Sequence, residues 1–152
     1  MPDSVAEMEY RILLEFKPDD SVTRSLLGMA HMRQNKLSEA EKAFRLILQT
    51  EPKNFDALDS LGLVLLKGGR YREAAGYLVT AATIRPEDIL VHLHLGHALS
   101  NNGQSDMARE TLLIGLNLLT IQPPSAAQKQ QQTEFHTALA ALPKKPATAS
   151  RQ

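Results

Sequence analysis

Three histidines, His92, His94 and His97, stand close together in the segment VHLHLGHAL and form the grouping whose chemistry would suit metal binding or catalysis. On a helix His92 and His94 point to different faces, whereas His94 and His97, three apart, share one. No carboxylate or fourth ligand lies nearby in sequence, so these residues read as hydrogen-bonded helix histidines rather than a metal site. The chain has no cysteine, which excludes disulfides, thiolate metal sites and cysteine nucleophiles. It also lacks a phosphate-binding glycine loop, a serine elbow and a metalloprotease helix motif. Catalysis therefore has no footing in the sequence, and neither a cofactor nor a metal is expected.

The elements that carry these residues must come from a chain of 152 residues. That is one domain's length, enough to bury roughly two-thirds of the unfolded surface. Lys plus Arg and Asp plus Glu both total 17, a balance that speaks against the basic surface required for nucleic acid. The charge is unevenly placed: residues 1 to 20 hold six carboxylates against Arg11 and Lys17, while the segment from Pro123 holds Lys129, Lys144, Lys145 and Arg151 against Glu134. Solvated ends account for this, and end-to-end attraction is the alternative. The start MPDSVAEMEY lacks a signal's basic opening and apolar run, and no stretch is long enough to cross a bilayer, so cytoplasm is expected.

An internal period fixes the architecture. Leu27-Gly28, Leu61-Gly62 and Leu95-Gly96 recur every 34 residues, and Ala40, Ala74 and Ala108 follow each glycine by 12. Phe44, Leu78 and Leu112 stand one helical turn beyond those alanines, and Pro52 and Pro86 keep the same period. The repeats are 21–54, 55–88 and 89–122, each broken in the middle by turn residues: Asn35, Gly68-Gly69 and Asn102-Gly103. Each repeat is thus two helices, with Ser38 and Ser105 expected as caps of the second. The small residues let backbones approach: Ala74 is expected to face Gly62 across the helix pair, with the larger side chains filling the space around them.

This pattern resembles the tetratricopeptide repeat, whose features after a first-helix aromatic are Leu-Gly, a mid-repeat Ala, a Phe and a closing Pro. The sequence departs from it where the usual tryptophan is Arg24, Leu58 and His92, where the usual tyrosine is His31, Leu65 and Leu99, and where the third closing proline is Thr120. The resemblance implies an all-α, right-handed superhelical solenoid. Counting back one period, Ala6, Tyr10, Leu13 and Pro18 match Ala40, Phe44, Ile47 and Pro52. The stretch 4–20 is therefore expected to be a half repeat, its helix 4–16 capped by Ser4 and buried through Tyr10 and Leu13. At the other end 125–142 places Phe135, Ala138, Leu139 and Leu142 on one helical face, as a capping helix would. One domain, 4–142, is expected, with 143–152 a disordered tail.

In the geometry the resemblance implies, first helices line a concave groove. Helical spacing then assigns to it Val22, Ser25, Met29 and Met32; Asp56, Asp59, Leu63 and Leu66; and Leu90, Leu93, His97 and Ser100. Most are apolar, and the Lys, Arg and Asn with which some tetratricopeptide domains hold a terminal carboxylate are missing from the set. Met29, Met32, Leu63, Leu66 and Leu93 are expected to form a strip open to solvent.

The function expected is a non-catalytic protein-binding module, an adaptor or chaperone whose groove takes an extended or helical apolar segment of a protein partner. Three repeats with an added helix at each end are similar in architecture to the small cytoplasmic chaperones of bacterial type III secretion. The alternative is a self-associating scaffold, a homo-dimer or larger homo-oligomer formed through the N-terminal half repeat.

Overall fold

The computed structural model describes residues 2–121 and 125–144. The expected disorder of 143–152 falls mostly outside them. Among the described residues the secondary structure is eight helices: α1 (Pro2–Phe16), α2 (Ser21–Arg33), α3 (Leu37–Thr50), α4 (Phe55–Lys67), α5 (Tyr71–Ile84), α6 (Ile89–Asn101), α7 (Ser105–Thr120) and α8 (Ala126–Ala141). The fold is an all-α solenoid in which each helix packs on the one before it.

Local chemistry sets the punctuation. Within each repeat the turn closes through a left-handed residue, Asn35 (φ 58°), Gly69 (φ 76°) and Gly103 (φ 81°), one period apart. The amide of the following residue, Lys36, Arg70 or Gln104, donates to the carbonyl of His31, Leu65 or Leu99 at 2.8 to 2.9 Å, capping the helix C-terminus. Each first helix starts on a side-chain cap: Asp20 accepts from the Val22 and Thr23 amides, Asn54 from Ala57 and Asp88 from Val91. The caps expected at the second helices are absent. Ser38 lies inside α3 and Ser105 is the first residue of α7, and the residues preceding these helices, Lys36 and Gln104, make no side-chain cap. Ser4 likewise lies within α1, which begins at Pro2.

The core repeats with the sequence. Ala40, Ala74 and Ala108 are fully buried, as are Phe44, Leu78 and Leu112. The side chain lying on each first-helix glycine is the larger one. A β-carbon on Gly28, Gly62 or Gly96 would meet Phe44, Leu78 or Leu112 at 2.7, 2.5 and 2.4 Å. Each glycine is thus a notch whose nearest neighbour is a knob sixteen residues on, and Ala74, expected to face Gly62, is fully buried in the same core. Gly115 of α7 serves Phe135 of α8 in the same way, with an added β-carbon 2.4 Å from the ring. Phe135, Ala138 and Leu142 are buried, and Leu139 packs half-buried against them.

Curvature follows from which helices approach next-but-one. Backbones of α2 and α4, α4 and α6, and α6 and α8 come into contact, whereas those of α1, α3, α5 and α7 do not touch one another. The even-numbered helices therefore line the inner side of the curve. On the outer side long side chains bridge α3 and α5: Arg45 reaches Glu41, Glu73 and the Tyr77 hydroxyl, and Arg70 reaches Glu41 and Glu73.

The first helix docks differently from the expectation. Leu13 is 52% exposed, and Tyr10 and Leu14 are only half-buried. The buried contact is polar. Glu7 accepts hydrogen bonds from Lys36 Nζ (2.9 Å) and Gln34 Nε2 (3.0 Å) and pairs with Arg11 (2.7 Å), while Asp3 binds Arg33 at 2.8 Å. The Lys36 hydrogen bond, then that of Gln34, holds the Glu7 carboxyl down at about 2.

Candidate functional site

The inner face formed by α2, α4, α6 and α8 holds a groove with two cavities. The first, about 320 Å³, lies between α2 and α4. Val22, Leu26 and Met29 form its apolar side, because positions 22, 26 and 29 share one face of α2. Asp56, Asp59 and Ser60 of α4 line the other side. The second cavity, about 520 Å³, lies between α6 and α8, where Gly96, His97 and Ser100 face Thr133, Glu134 and Thr137.

The residues assigned from sequence are divided by the structure. Val22, Met29 and Leu90 are exposed, at 68%, 37% and 44%. Ser25, Asp59, Leu63, His97 and Ser100 are half-buried and Asp56 is exposed. Met32 and Leu66 are half-buried and pack against the core, and Leu93 is 5% exposed and part of it. The expected open strip is therefore corrected at Leu93, while Met32 and Leu66 are only partly open. An apolar residue at a repeat's groove position can be roofed by the next first helix, and the exposed apolar surface is concentrated instead toward α2 and the start of α6. Leu26, 37% exposed and lining the first cavity, was missed; its place one turn after Val22 was the available signal. The polar wall from α8 was also missed, since its sequence carries no repeat phase.

The histidines go three ways. His92 is buried and its Nε2 donates to the Pro86 carbonyl at 2.7 Å, tying α6 to the loop before it. His94 Nδ1 donates to Asp59 Oδ1 at 2.8 Å, so the carboxylate that was missing near it in sequence arrives from α4 in the fold. His97 stands at the second cavity, where burial first and the neighbouring His94 second push its pKa down against the opposing pull of Glu134. Among the described residues no three His, Cys, Asp or Glu side chains are grouped to hold a metal ion. No helix among them is long and apolar enough to cross a membrane.

The tetratricopeptide-repeat family matches residues 23–54 and again residues 57–90. Among curated proteins none matches this sequence. Solved structures share the fold. The MamA D159K mutant superposes with a TM-score of 0.74 at 24% identity, covering 91% of this chain and 75% of that one. The Yersinia enterocolitica type III secretion translocator chaperone SycD, in an alternative dimer, gives 0.72 at 18% identity, covering 81% of this chain and 91% of its own. PcrH in complex with the chaperone-binding region of PopD gives 0.68 at 19% identity, covering 76% and 84%.

Proposed function

We propose that this chain, two stretches of which match the tetratricopeptide-repeat family, is a non-catalytic binding module, a chaperone or adaptor that holds an apolar segment of a partner protein in its inner groove. The observation that carries this reading is the cavity of about 320 Å³ flanked by exposed Val22, Leu26 and Met29. Apolar side chains gathered at a concavity mark binding sites more often than scattered ones do. The likeness to SycD and to PcrH, the latter solved with a bound region of PopD, supports chaperoning of secreted or assembling proteins in a bacterial cytoplasm as the specific role. The test is capture of partners from the native cell, identified by mass spectrometry, with the intact chain and with Met29→Glu. Met29 is solvent-accessible, so the variant should stay folded and lose the partners. A folded variant that retrieves the same partners overturns the reading.

A second reading, self-association through α1, is favoured by one observation. Val5, Met8, Ile12, Leu13 and Phe16 are all exposed, Phe16 at 81%, along one short helix. Light scattering over a dilution series tests it: Met8→Glu with Ile12→Glu should convert an oligomer to monomer, and a chain monomeric before substitution removes the idea.

A further inference from the structure

We infer that the segment seated between α2 and α4 is cationic as well as apolar: it brings a lysine or arginine to Asp56 and Asp59 beside the side chain it lays on Val22, Leu26 and Met29. This rests on the groove reading above and specifies its partner.

The cavity joins two surfaces of opposite character. One side is aliphatic, while the facing side presents two carboxylates three residues apart on α4, hence on the same helix face. No lysine or arginine lines the cavity. The nearest cation to Asp56 is Arg85, whose Nη1 is 3.7 Å away and whose guanidinium lies 4.1 Å over the Phe55 ring. The Asp56 side chain remains 71% exposed. Asp59 has its single hydrogen bond from His94, and its side chain is 21% exposed. Asp56 therefore depends on water for most of its solvation, while Asp59, held by His94, depends on it for a smaller share.

A purely apolar occupant would displace that water and leave Asp56 with Arg85 alone and Asp59 with His94 alone, a desolvation cost that disfavours it. An ammonium or guanidinium arriving with the apolar group replaces the lost hydration and relieves the repulsion between the two carboxylates. The other cavity points the same way, since its one charged lining residue is Glu134. The linings of the two cavities thus offer carboxylates and no lysine or arginine to an incoming chain, Arg85 reaching Asp56 without lining either cavity.

Random dodecapeptides displayed on phage and selected on the full-length protein test the inference. The expected result is enrichment of peptides carrying Lys or Arg within a few positions of a large apolar residue. Binding of one such synthetic peptide should weaken about fivefold or more when its basic residue becomes norleucine, and by a similar factor in the Asp56→Asn chain. The two losses should not add in a double-mutant cycle, and raised salt should reproduce them. Because Asp59 is bonded to His94, Asp59→Asn is measured with circular dichroism alongside, and Asp56→Asn decides the outcome alone if that second variant is perturbed. Peptides that lose binding in Met29→Glu yet show no basic preference overturn this inference and leave the groove reading standing. Peptides indifferent to Met29→Glu, or a selection that returns none, overturn both.

Discussion

Leu78 lies across the bare backbone of Gly62, so close that a β-carbon on the glycine would stand 2.5 Å from Leu78 Cγ. The atom in the way is the branch point of a fully buried side chain, which cannot swing aside. Gly62→Ala should therefore destabilise the fold by about 1 to 3 kcal/mol, although alanine is the better helix former. Gly76 in α5 has open space at the same position, so Gly76→Ala should stabilise by about 0.5 to 1 kcal/mol. Urea denaturation of the two variants should give midpoints on opposite sides of the parent's. Ala74→Leu, at a fully buried site, should resemble Gly62→Ala, and an unchanged midpoint there would undo the helix-pair packing.

Phe135 supplies the aromatic anchor of α8, completely buried over Gly115 of α7. Phe135→Ala should cost about 3 to 5 kcal/mol as a core truncation. Limited proteolysis should then cut first within α8, and a digestion pattern like the parent's would show that the helix is held by other contacts.

Glu7 ties α1 to the first repeat, and its carboxyl is depressed to about 2 by Lys36 and then Gln34. A carboxylate whose folded pKa lies below its unfolded value adds stability above the unfolded value, near 4.5, and that stability fades as pH falls from there toward 2. The melting temperature of the parent should fall more steeply across that interval than that of Glu7→Gln, with the curves converging at the acid end. Parallel curves would mean that Glu7 carries none of the docking. Removing residues 1 to 17 should lower stability at neutral pH, since Lys36 and Gln34 lose their partner.

Much of the fold is legible because a period is a statement about geometry. The 34-residue recurrence of Leu-Gly, Ala and Pro requires identical helix pairs, and Asn35, Gly69 and Gly103 adopt the left-handed conformation that their residue types and spacing announce. The caps Asp20, Asn54 and Asp88 share that period, and their acceptor side chains just before each first helix were equally readable.

What the sequence by itself determined, then, is the repeat, its turns and the inward stripe of Ala and Leu, because each depends on neighbours within a few residues or one period. Only the tertiary structure decided which apolar residues stay open. Leu90 and Leu93 are three apart on α6, yet one is 44% exposed and the other 5%, because the stacking of α6 against α4 and α8 covers one flank of the helix and not the other. The fold likewise laid Leu78 on the Gly62 notch, turned Leu13 to solvent while seating Glu7, and brought Asp59 to His94 from 35 residues away. Each of these depends on the offset and rotation between packed helices, which arise from the summed fit of many side chains and leave no mark at any single position.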